Sequence, residues 1–419
     1  MFKLLFKGSL FKLFDFVRPL IVIPFFIRIY GLESYGIYVQ IVFISTLLYP
    51  ILDMGIGMSI QRFSEKYNNF ETRIELFDIQ KLIFAVFIFL FILIISLNSV
   101  QNLLFGQYKS TLIIVFTLVY ILLFSANNTL QGVLRADSKI SRLVLYRGIF
   151  AVFEALLLIT ILFIHKKFDF VYIAMMAIGQ LFYFLLLDRE SGRIMTTFNL
   201  QVKYTREIKS FYKYSLLLVP IALIGWVTSS SDRFFITSYF GAESTGYYSA
   251  ISQYTGYMKL IVFPFTFVYF KDYSKFYDQN FRKFLKFYGK TFIICLVFSL
   301  IYLIAFYLLK NPIFKIYVGI DLRPELKTLT LWFLITYFFV NISSFMATYL
   351  LVVKQTRIML IAIILGAILN FCLNKFLLHN YDFVHAVYYH AISVGLQITI
   401  MGLFIIVNIF KYEKGIICG

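Results

Sequence analysis

The chemistry open to this chain is concentrated in a few charged groups set inside long apolar runs. A charge at mid-depth in a bilayer costs roughly 2.5 to 3.5 kcal/mol, so such a group is expected to pair, to face a protein interior or to hold a ligand. Ser229-Ser-Ser-Asp-Arg233 places hydroxyls, a carboxylate and a guanidinium directly before Phe234-Phe-Ile236. Either a helix-end salt bridge or a cavity lining accounts for it. Lys259 has no acid within one helical turn, and its natural partner is an anion. Arg18 lies three residues from Asp15 and either neutralises it or lines a cavity. Arg147 and Glu154 are seven apart on one helical face with Gly148, Ala151 and Ala155, which suits a packing seam with an ion pair or a transport path. Arg18, Arg147, Arg233 and Lys259 are therefore the candidate anion-binding set. Asp53, Glu154 and Asp232 are the candidate ion-coupling set, since the charge of a buried carboxylate depends on conformation. Asp53 precedes Gly55 and Gly57, which also allows a helix break near one membrane face.

Other chemistries lack their residues. No Gly-rich phosphate loop ends in Lys and Ser or Thr, which argues against an ATP-driven pump. No nucleophile, base and orienting acid can be assembled, so no catalytic residue and no enzyme activity is expected. His165, His379, His385 and His390 fall at or near loops without an i, i+4 pair, and no metal site or cofactor is expected. Asn127, Asn128 and Gln131, and later Asn370 and Asn374, suit sugar hydroxyls or bonds between helices.

The elements that must position these groups are membrane helices. The chain is 61% hydrophobic and 14% charged, with mean hydropathy +0.83, more apolar surface than a soluble domain can bury. A span needs roughly 20 residues. Runs of that length are expected at 11–30, 36–60, 81–100, 111–134, 143–164 and 169–188, then at 211–240, 246–270, 289–310, 327–352, 358–378 and 385–410. Twelve spans without period-two alternation exclude a barrel. Of 39 Lys and Arg, 26 fall on one set of connections and 7 on the alternate set, which puts both termini in the cytoplasm. No cleavable signal peptide is expected. The net charge of +18 is then explained by topology and anionic headgroups, and nucleic acid is not an expected partner.

The two halves are copies. Gly31-Leu-Glu-Ser-Tyr-Gly-Ile-Tyr38 returns 210 residues later as Gly241-Ala-Glu-Ser-Thr-Gly-Tyr-Tyr248, and the same offset pairs Ser64 with Ser274 and Tyr67 with Tyr277. Each half holds six spans, so both enter the membrane in one direction. The expected fold is an all-α membrane protein, twelve helices in two six-helix lobes (1–205 and 206–419) related by a parallel pseudo-two-fold. Gly31 and Gly241 are expected to end one helix, Ser34 and Ser244 to cap the next, and Tyr38 and Tyr248 to sit in an aromatic belt.

With these motifs in order, the chain resembles the O-antigen and polysaccharide flippases, a branch of the multidrug/oligosaccharidyl-lipid/polysaccharide exporter superfamily. The resemblance rests on Arg18-Pro19, the Gly31–Tyr38 motif followed by Asp53-Met-Gly55, Gln131-Gly132, Asp232-Arg-Phe-Phe-Ile236 with Phe240–Tyr248, and Leu369-Asn370 with Asn374. It covers essentially the whole chain. One departure is Phe383-Val-His-Ala-Val-Tyr388, where the family has a Gly-Ala-Ala-like run. The resemblance implies a cationic central cavity and movement of an undecaprenyl-diphosphate-linked oligosaccharide from the cytoplasmic to the periplasmic leaflet of the bacterial inner membrane. It implies as partners that lipid-linked oligosaccharide, the lipid bilayer, and an O-antigen polymerase with its chain-length regulator. A multidrug exporter of the same superfamily would favour an acidic, aromatic cavity. A membrane polymerase or glycosyltransferase would need a large periplasmic loop, and the longest external connection is about 311–327.

Overall fold

The computed structural model describes residues 2–62, 70–95, 101, 110–137, 139–197, 206–263, 265–266, 269–317, 319 and 324–413. These residues are helical nearly throughout, with no strand among them. The chain is an all-α, multi-pass membrane protein. It divides into two compact units, Met1–Trp226 and Val227–Gly419. The boundary expected at 205/206 borders residues 198–205, which lie outside the described residues.

The first unit contains α1 (Phe2–Asp53), α2 (Ile56–Arg62), α3 (Phe70–Ile95), α4 (Thr111–Ala136), α5 (Ile140–Ile164), α6 (Phe170–Glu190) and most of α7 (Arg206–Ser230). In it α4 packs on α6, and α1 on α5 and α4. Tyr212 of α7 donates to the Leu76 carbonyl at 2.9 Å, and the Trp226 indole donates to the Phe43 carbonyl at 3.2 Å. These bonds hold α7 to this unit although the duplication makes it the opening helix of the second half. The core gathers Ile56, Ile60, Phe77, Leu130, Leu134 and Tyr183.

The second unit contains α8 (Asp232–Thr255), α9 (Lys259–Phe263), α10 (Phe270–Gln279), α11 (Phe281–Tyr317), α12 (Pro324–Val352), α13 (Thr356–Leu377) and α14 (His385–Glu413). Here α14 packs on both α12 and α13, with Ala386 and Val387 fully buried in place of the Gly-Ala-Ala-like run. The core is aromatic, with Tyr273, Phe284, Tyr288, Phe345 and Tyr349 at its centre. Large apolar side chains elsewhere point outward, such as Leu82 and Phe89 on α3 and Ile301 and Leu308 on α11. In a water-soluble protein such faces would be buried; on spanning helices they meet lipid.

The internal repeat is visible in the backbone. Gly31 breaks α1 at φ 83°, ψ 171°, and Gly241 breaks α8 at φ 84°, ψ 173°. Only glycine adopts this region without strain, so one residue type at one offset produces the same break twice. Nine helices among the described residues are long and apolar enough to cross a membrane, and the break at Gly31 interrupts one of them, Pro19–Asp53. The expected seventh span is formed by α7 and the start of α8, joined through Ser231, whose backbone stays helical. The eighth is not one helix: after Thr255 come a 3₁₀ turn, Gly256–Met258, and the short α9.

Candidate functional site

The polar cluster of the second unit is assembled where α7 meets α8. Asp232 and Arg233 are buried at 1% and 7% exposure. Arg233 Nη1 donates to Asp232 Oδ1 at 3.1 Å and to the Ser229 carbonyl at 3.0 Å, while Nη2 donates to Ser252 Oγ at 2.8 Å. Tyr248 donates to the other carboxylate oxygen of Asp232, and its ring lies under the guanidinium, 5.6 Å from Cζ. Asp232 is thus paired on one oxygen and hydrogen-bonded on the other, the arrangement that lets a charge remain buried. Tyr248, expected in an aromatic belt, is instead fully buried as a ligand of that carboxylate. Ser244 does not cap the following helix either; its hydroxyl donates back to the Phe240 carbonyl at 3.1 Å.

The network continues outward from Arg233. Ser252 Oγ and Tyr337 Oη lie 2.6 Å apart, and Lys259 Nζ stands 4.5 Å from the centre of the Tyr337 ring. Asn341 fixes the turn that presents Lys259, donating to the Met258 carbonyl at 3.1 Å and to Ser299 Oγ at 3.0 Å. Lys259 itself is exposed. Its ammonium makes no ion pair among the described residues and is held on the face of an aromatic ring. His390, expected near a loop, lies within α14 and is buried.

The first unit holds a different cluster. Asp53 ends α1 and is 6% exposed. Its Oδ1 accepts from Thr129 Oγ1 at 2.6 Å and from the Gly57 amide at 3.2 Å. Gln80 Nε2 donates in turn to Thr129 Oγ1 at 2.8 Å and to the Leu52 carbonyl at 3.3 Å. The chain turns at Met54 and Gly55, with φ 49° and 69°. A side chain at Gly55 would place its Cβ 2.5 Å from the Ser215 carbonyl oxygen of α7, so glycine lets the turn and α7 touch. Asp53 has no ion pair among the described residues, and it borders a cavity of about 330 Å³ with Tyr49, Pro50, Asn128, Arg135 and Leu218.

The remaining candidates are dispersed. Arg147 is half-buried with Cζ 5.2 Å from the Phe150 ring centre and 5.6 Å from that of Tyr183. Glu154 is fully buried beside Gly179 of α6. Arg18 is helical in backbone, but its side chain lies outside the described residues. The amides join helices: Asn127 donates to Gln180 Oε1 at 2.8 Å and Asn370 to the Thr228 carbonyl at 3.3 Å. Asp188, at the end of α6, accepts from the Met195 amide at 2.9 Å and Thr196 Oγ1 at 2.7 Å, closing the turn that follows. Among the described residues no group of His, Cys, Asp and Glu is placed to hold a metal. Sequence reasoning did not single out Tyr49, Gln80, Thr129, Ser252 or Tyr337. Single polar groups on apolar helices carry no spacing signal, and only the fold brings them to an acid or a cation.

No protein-family model matches the chain, and no characterised protein matches it in sequence. Solved structures do match in fold. A lipid II flippase, MurJ, in an inward closed conformation superposes with TM-score 0.74 at 14% identity, covering 94% of this chain and 87% of that one. An inward-facing multidrug resistance MATE family transporter of the MOP superfamily gives 0.65 at 12% identity, covering 95% and 94%. A MOP superfamily transporter from Pyrococcus furiosus gives 0.62 at 12% identity, covering 96% and 93%. The chain has the fold that this flippase and these transporters share.

Proposed function

We propose that the protein is a flippase that carries an undecaprenyl-diphosphate-linked oligosaccharide of O-antigen type from the cytoplasmic to the periplasmic leaflet of a bacterial inner membrane by alternating access. The observation that carries this reading is the disposition of charge in the second unit. Asp232 answers the charge of Arg233, whereas Lys259 is exposed beside it without an ion pair among the described residues. A cation kept in a membrane-spanning region at such cost suits an anionic ligand, and a lipid diphosphate is one. Arg233 then acts through Ser252 and Tyr337 to hold the ring that carries Lys259, and Lys259 touches the ligand. Likeness in fold to a lipid II flippase supports a lipid-linked cargo. The excess of Lys and Arg on one set of connections supports cytoplasmic termini.

The test is complementation of a flippase-null strain that retains glycan units on the cytoplasmic leaflet. The chain is expected to restore surface glycan without changing drug susceptibility, and Lys259→Ala to cut that restoration at least about tenfold with unchanged protein level. Full activity of Lys259→Ala, or export of cationic drugs in place of glycan, refutes the reading.

A further inference from the structure

We propose that the cavity of the first unit is a sugar subsite, in which Asp53 and Tyr49 hold one monosaccharide of the cargo; this rests on the flippase reading above. The starting point is an incomplete carboxylate. Asp53 is more than nine-tenths buried, and its hydrogen bonds from Thr129 and Gly57 both end on Oδ1. Oδ2 has no hydrogen bond among the described residues, and Asp53 borders the cavity. A carboxylate oxygen in an apolar surrounding requires a donor, and among the described residues the protein supplies none.

The other walls state what kind of donor fits. Arg135 lines the same cavity, and its positive charge disfavours a cationic ligand. A bare monovalent ion is also far too small for about 330 Å³, a volume that would hold roughly ten waters and falls at the lower end of small-molecule pockets. The remaining surface is mixed in the way a pyranose is mixed. Tyr49 offers a ring face, steadied at its edge by Phe124 at 5.9 Å, and a hydroxyl with no hydrogen bond among the described residues. Pro50 and Leu218 add apolar wall. Asn128 spends its amide nitrogen on the Phe124 carbonyl at 2.8 Å, which leaves its oxygen as an acceptor. A neutral polyol with hydroxyl donors and a C–H face meets all of these groups at once.

The experiment uses the full chain in lipid nanodiscs and measures affinity for undecaprenyl diphosphate alone and for undecaprenyl diphosphate carrying glucose, galactose, N-acetylglucosamine or N-acetylgalactosamine. In the unaltered protein at least one sugar is expected to tighten binding about tenfold over the bare carrier. Asp53→Asn and Tyr49→Leu should each remove most of that gain and leave the affinity for the bare carrier unchanged. Ala222→Phe, which fills the cavity from α7 without touching a polar group, should do the same and guards against a variant that fails to fold. Carrier binding without a gain from any of the four sugars, or a gain that survives all three substitutions, overturns the subsite and leaves the flippase reading standing. Failure to bind the carrier in any form removes both. Thermal stabilisation by sodium chloride over choline chloride that disappears in Asp53→Asn, with the sugar gain intact, makes the cavity a cation site and also overturns the proposal.

Discussion

Asp53 in the first unit and Asp232 in the second are both buried acids at helix junctions, yet their surroundings are opposite. Asp232 has Arg233 on one oxygen and Tyr248 on the other. Asp53 has hydrogen bonds to one oxygen and a cavity beside it. Neither is a copy of the other: at the 210-residue offset Asp53 corresponds to Phe263, and Asp232 to Val22. The duplication has kept the backbone break, shown by the matching angles at Gly31 and Gly241, and has let the polar chemistry diverge.

The sharpest way to break this comparison is to remove each acid. Asp232→Ala strands a buried guanidinium, and losing one partner of a buried pair costs about 3–5 kcal/mol. We expect loss of folded protein in thermal unfolding of detergent-solubilised samples, with partial recovery in Asp232→Ala/Arg233→Met. Asp53→Asn keeps an oxygen acceptor for Thr129 and Gly57, and its cost should stay near 1 kcal/mol. If the two variants are equally unstable, the distinction between a structural acid and an open one is lost.

A smaller effect sharpens the other half of the comparison. Gly31→Ala and Gly241→Ala place a Cβ in a backbone region reserved for glycine, although space around both positions is open. The cost is conformational strain, about 1–3 kcal/mol for each. Melting temperatures should fall by similar amounts in the two variants. A large fall at one position alone would mean that the repeated break is no longer used in the same way in both units.

These contrasts were unevenly legible in the sequence. The all-helical membrane fold follows from composition and run length, and the breaks at Gly31 and Gly241 follow from a repeated motif, because both are local or periodic signals. The pairing of Asp232 with Arg233 was among the alternatives, since the residues are neighbours. That Tyr248 would serve Asp232 was not, because a tyrosine near a helix end reads equally well as interfacial. The change from one long eighth span to a helix, a 3₁₀ turn and a short helix was hidden too: Asn341, 83 residues away, stabilises the turn by binding the Met258 carbonyl. The cavity beside Asp53 was hidden for the same reason, since Asn128 and Arg135 of α4 and Leu218 of α7 line it from other helices.

The mildest expected effect tests the link between Asp53 and its neighbours. Thr129 passes a hydrogen bond from Gln80 to Asp53 within 2.8 and 2.6 Å. Thr129→Val keeps the shape and removes the hydroxyl, so no space is created and only polar partners are lost. Asp53 Oδ1 retains the Gly57 amide, and Gln80 retains the Leu52 carbonyl. Each group therefore keeps one partner, and the loss should be close to one hydrogen bond, about 1 kcal/mol. The comparable change in the second unit, Tyr248→Phe, should cost more, because Asp232 is 1% exposed and bulk water does not reach it to replace the lost donor. Thermal unfolding of the two variants side by side checks the order, with Thr129→Ser as the control that restores the bond. A Thr129→Val variant less stable than Tyr248→Phe would show that the Asp53 cluster is the tighter of the two, and the contrast between a closed acid and an open one would then fail at its source.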